Sequence, residues 1–184
     1  HCYSEEHRFY HNWSHISTCL DEFQSARFLA LHPIAVELAL WFHDVIYAPG
    51  APDNEELSAR AARDAAASLN LSSETTREVE ALVLATRYLT DDQTQNELCT
   101  QDSALIRDID LSILGKTPEQ FDSYERAIGA EYGFVPARER RQRRIHILER
   151  FLELPKIYEH QHFQNRYEQQ ARCSLSRSIR RLRQ

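Results

Sequence analysis

The residues best equipped for chemistry in this chain are neighbours, His43 and Asp44, at the end of the apolar run from Ala35 to Tyr47. Pro33 opens a helix there, since proline is favoured at a first helical position. Val36, Leu38, Ala39, Leu40, Trp41 and Phe42 leave that helix almost no polar face, so the segment reads as a buried central helix carrying on to Tyr47. An ionisable pair at the end of such a helix is costly unless it meets a cation, a hydrogen-bond network or a metal. An internal salt bridge for Asp44 and a metal site are therefore the two solutions to look for.

Histidine placement bears on that choice. His7, His11, His15 and His32 precede the central helix, and after His43 no histidine occurs until His146. His11 and His15 are four residues apart and share a helical face. Either one alone reads as a polar cap or a surface histidine. Together with a buried His-Asp pair they point to imidazoles and carboxylates converging on a divalent ion. A further ligand is expected from a second buried helix. Ile106, Ile109, Ile113 and Leu114 form an apolar stripe with Asp110 on or near it and Asp108 turned to the flank. Asp110 is the better candidate, against the plain alternative of a solvated acidic face.

The elements that must position these groups read as helix throughout. Four glycines and six prolines among 184 residues, with abundant Ala, Leu, Glu, Arg and Gln, favour helix almost everywhere. Helices are expected from about 12 to 32, from Pro33 through the His-Asp pair, and from Asp53 or Asn54 to about 70 after the loop Ala48–Pro52. A fourth starts at Ser72 or Ser73 and places Val79, Leu82, Val83, Thr86 and Leu89 on one face, with a polar linker at 91–96. A fifth covers about 100–114 and stops at Gly115. Thr117-Pro118-Glu119-Gln120 is a capping box that opens the sixth. Pro136 and Pro155 bracket the seventh, and the last covers about 161–182. No period-two alternation indicates a sheet. The expected fold is all-α, about eight helices in a single domain spanning 1–184.

Composition narrows the function classes. The chain is 42% hydrophobic and 27% charged, which suits a packed core. No stretch reaches the roughly 18 apolar residues of a membrane span, and no signal-peptide pattern is visible. A net charge of −6 argues against general nucleic-acid or membrane-surface binding. Cys2, Cys19, Cys99 and Cys173 show no CxxC spacing, so free thiols in a reducing cytoplasm are expected.

His15, His43-Asp44 and Asp110, in that order, match the H…HD…D signature of the HD-domain superfamily of metal-dependent phosphohydrolases. More narrowly, the chain resembles the small bacterial predicted metal-dependent HD phosphohydrolases. The resemblance runs over nearly the whole chain. It includes Arg8 through Ile16, Trp41 through Tyr47, Asp53-Asn54-Glu55 with Ser58-Ala59, Asp110-Leu111 with Ile113-Leu114-Gly115, Tyr124 with Arg126-Ala127-Ile128, and Glu131-Tyr132 with Val135-Pro136. Towards the end it takes in Phe151-Leu152, Pro155 with Ile157-Tyr158, and Ala171-Arg172.

The resemblance implies an HD fold holding one divalent ion on His15, His43, Asp44 and Asp110. Two nitrogens and two oxygens suit Mn, Fe, Co, Ni or Zn better than Mg. The implied activity is hydrolysis of a nucleotide or other small phosphate ester by a metal-activated water, with Asp44 in the catalytic set. Glu55 would orient the water or act as general base, or else merely cap a helix with Asp53 and Asn54. Arg8, His11, Asn54 and Arg87 are candidates for binding substrate, and His11 also for supporting a ligand from behind.

The chain departs from the family at several points. Tyr88 stands where a histidine is expected after Thr86-Arg87, and no histidine occurs between 44 and 145, which disfavours a di-metal centre. Gly129 replaces an expected arginine. Val45-Ile46-Tyr47-Ala48 follows His43-Asp44 in place of the Glu-Asp pair of guanosine tetraphosphate hydrolases. The alternative function is a non-catalytic or regulatory metal-binding module that senses a ligand or partner, with a homo-oligomer left open. The arginine clusters at Arg138–Arg144 and Arg177–Arg183 read as solvated faces or as docking surfaces, and those at a helix start call for acidic neighbours or a ligand to offset the dipole.

Overall fold

The computed structural model describes residues 2–87 and 100–184. Tyr88, Leu89, Cys99 and the linker expected at 91–96 lie outside the described residues. The described residues are all-α, without a strand, and divide into two compact units, His1–Asp110 and Leu111–Gln184.

The first unit contains α1 (Trp13–Ala26), α2 (Pro33–Phe42), α3 (Asn54–Ser68), α4 (Ser73–Leu84) and α5 (Gln101–Asp110). Helix α2 packs against each of the other four, so it is central, as its apolar sequence implies. Its burial is one-sided, however. Ala35, Val36, Ala39 and Leu40 are buried, Ile34 and Trp41 are exposed, and Glu37 pairs with Arg27 at 2.6 Å. This is the i, i+1, i+4, i+5 pattern of a helix covered on one face, with apolar side chains left over on the other. Asn12 caps α1 through its side chain, and Ser72 caps α4. Helix α3 begins after Asp53, which takes the expected N-cap position without a side-chain capping bond, and the Asn54 amide bonds the backbone of Ala48. Asn70, at φ 55°, ends α3 in a left-handed turn that asparagine tolerates.

Three helix limits differ from expectation. Helix α1 gives way after Ala26 to a 3-10 turn over Arg27–Leu29, and the chain is extended at Ala30, which brings it to Pro33. Helix α2 stops at Phe42 rather than running on to Tyr47, and puts His43 at its C-cap and Asp44 beyond it. Helix α5 ends at Asp110, followed by the 3-10 turn Leu111–Gly115.

The second unit contains α6 (Pro118–Glu131), α7 (Ala137–Glu153), and α8 (Gln161–Phe163), which passes through a π-helical turn (Gln164–Glu168) into α9 (Gln169–Leu182). Counting 161–182 as one continuous helix gives eight among the described residues. The capping box at Thr117 and Gln120 forms with both of its bonds. Helix α9 packs on α7 and on the 3-10 turn at 111–115. Gly115 is needed there: a Cβ on it would stand 2.4 Å from Tyr167 Cβ and 2.7 Å from the Tyr167 carbonyl oxygen. The arginine clusters are largely paired within this unit. Arg144 binds Glu125, Arg143 binds Glu139, Arg177 and Arg181 share Asp122, Arg183 binds Glu149, and Arg140 donates to the carbonyls of Tyr132 and Val135. The acidic neighbours called for by the dipole at the start of α7 are thus present.

Candidate metal centre

The centre is assembled where helices end. Helix α1 supplies His15 from its first turn, α2 ends in His43 and Asp44, and α5 ends in Asp110. Helices α2 and α5 lie start to start and end to end: His32 meets Asp102 at their beginnings, and His43 meets Asp110 at their ends.

His15 Nε2 lies 3.1 Å from His43 Nε2, 3.1 Å from Asp110 Oδ1 and 3.3 Å from Asp44 Oδ2. His43 Nε2 lies 3.0 Å from Asp44 Oδ2 and 3.7 Å from Asp110 Oδ1. Each histidine Nε2 therefore lies within 3.7 Å of the other and of one oxygen of each carboxylate. Donors bound at about 2.1 Å to a common ion stand about 3.0 Å apart at right angles and about 3.4 Å apart in a tetrahedron, so these spacings fit a first-row divalent ion. A single Nε2–H on His15 cannot serve three partners at once, whereas an ion at their centre can.

The tautomer of His43 is fixed by its surroundings. Its Nδ1 stands 2.9 Å from the Leu40 carbonyl, which can only accept, so Nδ1 carries a proton in either charge state and Nε2 is the nitrogen whose lone pair is available to an ion once its own proton leaves. Burial alone would lower the pKa of both imidazoles. It is outweighed at His15 by Cys19, Tyr10, Asp110 and Asp44, and at His43 by Asp44 and Asp110, so both are held well above the usual histidine range. Burial would raise the two carboxyls. The charge of His43 and His11 and the bonds from both ligand histidines hold Asp44 well below its usual value, and the bonds from His15 and His43 do the same for Asp110. Without metal, protons on the imidazoles carry the positive charge that the carboxylates require.

Access is asymmetric. The histidine side chains are 2% exposed, and those of Asp44 and Asp110 are 20% and 16% exposed, so an incoming ligand meets the carboxylate side.

Cys19 is the neighbour that sequence reasoning passed over, although it stands four residues after His15 on the same helical face. His15, Cys19, His43 and Asp110 offer donor atoms that all lie within 4.8 Å of one another. Cys19 Sγ, however, is 3.7 Å from His15 Nδ1 and 3.8 Å from Nε2. An atom equidistant from both ring nitrogens lies beside or over the ring, and a donor sharing an ion with Nε2 must lie ahead of it. Asp44 meets that condition and Cys19 does not. On this geometry Asp44, 3.3 Å from His15 Nε2 and 3.0 Å from His43 Nε2, is the better fourth candidate, with the Cys19 thiol packed beside the His15 ring.

The other expected residues are placed as follows. Arg8, its side chain 1% exposed, donates to Glu5, to the carbonyls of His11 and Asp44 at 3.0 and 2.6 Å, and to the Val45 carbonyl at 3.0 Å. It clamps the backbone of the His-Asp turn just beyond α2, while Tyr3 donates to the Trp41 carbonyl at the end of the helix itself. Asn54 bonds both the N–H and the carbonyl of Ala48, and Ser58 Oγ does the same for Ile46, so α3 staples the loop after Asp44 from the other side. His11 packs its ring on Tyr47 at 4.2 Å and edge-on to His15 at 5.9 Å. Arg87 pairs with Glu56 and stands 3.6 Å from Glu55. The structure does not bring Glu55 into contact with the four donors. Asp108, expected on the flank, is 1% exposed: the α5 surface around it is covered, so a buried acid beside the apolar stripe is not distinguishable by pattern from a solvated one. Among the described residues, no helix is long and apolar enough to cross a membrane. Cys2, Cys19 and Cys173 are free thiols. Comparison with protein-family models, with curated proteins and with solved structures gave no match.

Proposed function

We propose that this protein is a metal-dependent phosphohydrolase acting on a small phosphate ester, a nucleotide included, with one divalent ion held by His15, His43, Asp44 and Asp110. The observation that carries the reading is the approach of two imidazole nitrogens, 3.1 Å apart, to one oxygen each of Asp44 and Asp110 at 3.0–3.7 Å, on the partly open carboxylate side. When bound there, a divalent ion polarises a phosphoryl oxygen and lowers the pKa of water. The chain's own groups do the rest. His43 is locked in the ligating tautomer by Leu40, and Asp44 is fixed by the grip of Arg8 on its carbonyl. The open carboxylate side faces the ester, and His11, within electrostatic reach of Asp44 and beside His15, borders it. The free thiols suit a cytoplasmic setting.

A second reading is supported by a specific observation. Arg8, Asn54 and Arg87, which the resemblance would assign to phosphate, are engaged by groups of the protein itself. That favours a module that keeps the metal to sense a ligand or partner. Metal analysis of the purified protein, with a phosphate-ester screen in Mn, Ni, Co and Mg for wild type and Asp44→Ala, separates the two. One ion per chain and turnover lost in the variant supports the hydrolase. Bound metal without turnover across the panel supports the sensor, and absence of metal removes both.

A further inference from the structure

A second constellation of metal-binding groups lies at the other ends of α2 and α5. His32, the residue before α2, directs its Nδ1 at Glu78 Oε1 of α4, in direct contact, and at Asp102 Oδ2 of α5, 3.3 Å away. One donor atom from each of the three lies within 4.8 Å of the others. Asp102 is 1% exposed and is held rigidly: its Oδ1 accepts from the N–H of Leu31 and its Oδ2 from the N–H of His32, both at 2.8 Å. Each bond leaves its oxygen a second lone pair, and the fixed carboxylate has the support from behind that a ligand requires.

Two carboxylates share one imidazole, so even a protonated His32 leaves a net negative charge. The His32 side chain is 58% exposed, which leaves a path for an ion and room for water on its outer side.

We propose that His32, Glu78 and Asp102 form a second divalent-cation site, distinct from the His15–His43–Asp44–Asp110 centre. One imidazole nitrogen and two carboxylate oxygens suit Zn, Co, Ni or Mn. At 1.5 Å per residue, the helices separate the two sites by roughly 12–16 Å, too far for a binuclear centre. The second ion ties the beginnings of α2 and α5 to α4, and these are the helices whose ends carry His43, Asp44 and Asp110. Its role is to set the relative position of the helices that build the first centre.

The test is a Zn titration of the full-length protein after removal of metal, read by calorimetry and elemental analysis, for wild type, His32→Ala, Glu78→Gln and His15→Ala. His32 is exposed and Glu78→Gln is isosteric, so neither change threatens folding. The expected result is two equivalents for wild type and one for each variant. One equivalent in wild type that is lost in His32→Ala and Glu78→Gln but kept in His15→Ala also upholds the second site, while removing the first. A wild type that saturates at one equivalent unaffected by His32→Ala, a wild type that binds none, or two equivalents retained in both His32→Ala and Glu78→Gln overturns the proposal.

Discussion

At the residue scale, the centre is decided by which atom of each side chain is available. His43 is suited to bind an ion because its Nδ1–H donates to the Leu40 carbonyl, and His15 because its Nε2 faces three metal-binding atoms at 3.1–3.3 Å. Loss of a supporting partner costs metal sites about 10–100-fold in affinity, so loss of a direct donor costs more. Asp110→Asn, nearly isosteric, is expected to weaken Zn binding at this centre by more than about 100-fold while the helical circular dichroism stays unchanged. Competition with a chromophoric chelator measures it. Arg8 acts at the same scale through the backbone. Removing its guanidinium leaves the carbonyls of His11, Asp44 and Val45 short of a buried donor. Arg8→Ala is therefore expected to cost about 3 kcal/mol, since orphaned buried acceptors cost about 1–3 kcal/mol each and only some regain water. Urea unfolding reads that loss, and an unchanged midpoint rules the clamp out.

At the element scale, helix ends matter more than helix interiors. Helices α2 and α5 deliver ligands only because each stops where it does, and the alignment of their starts and ends makes two clusters from one pair of helices. In the second unit the close contact of the 3-10 turn with the π-helical segment depends on Gly115. Gly115→Ala is expected to destabilise by about 1–3 kcal/mol, because the new methyl collides with the backbone of Tyr167 and not with a movable side chain. Gly129, inside α6, has nothing within 4 Å of a built Cβ. Gly129→Ala is expected to stabilise by about 0.5–1 kcal/mol through helix propensity alone. Thermal melts of the two variants should shift in opposite directions.

At the scale of the molecule, proton and metal compete for one cluster. Both ligand imidazoles are raised above 6.5, so in the metal-free protein their contribution to stability is fully present below that pH and is lost as pH rises through the raised values. Asp44 and Asp110 are depressed below 3.8, so their contribution is present above that pH and is lost as pH falls through the depressed values. This cluster therefore stabilises the apo protein most between about pH 4 and 6.5. Zn binding must displace the imidazole protons, so its affinity rises with pH. The melting-temperature gain from saturating Zn is expected to grow from pH 6 to pH 8, and parallel scans with and without Zn check it. A gain that shrinks over that range contradicts protonated ligand histidines.

Much of this was legible in the sequence. Scarce glycine, helical spacing of apolar residues and the Thr117–Gln120 box determine an all-α chain and most helix starts, because propensity and capping are local. The ligand set was also within reach, because His43-Asp44 at the end of an apolar run is costly unless something answers it. Tertiary structure decided what depends on contacts distant in sequence. Beyond the end of α2 at Phe42, the turn is held by Arg8, 36 residues from Asp44, which donates to the Asp44 carbonyl. Cys19 stands beside the His15 ring, 3.7 and 3.8 Å from its two nitrogens, a placement that no spacing encodes. Asp108 and Asp110, two residues apart on one helix, take different surroundings, and His32 meets Glu78 and Asp102 only because α2, α4 and α5 begin their contact there. Local sequence sets which conformations are cheap, and the burial of charge against remote partners selects among them.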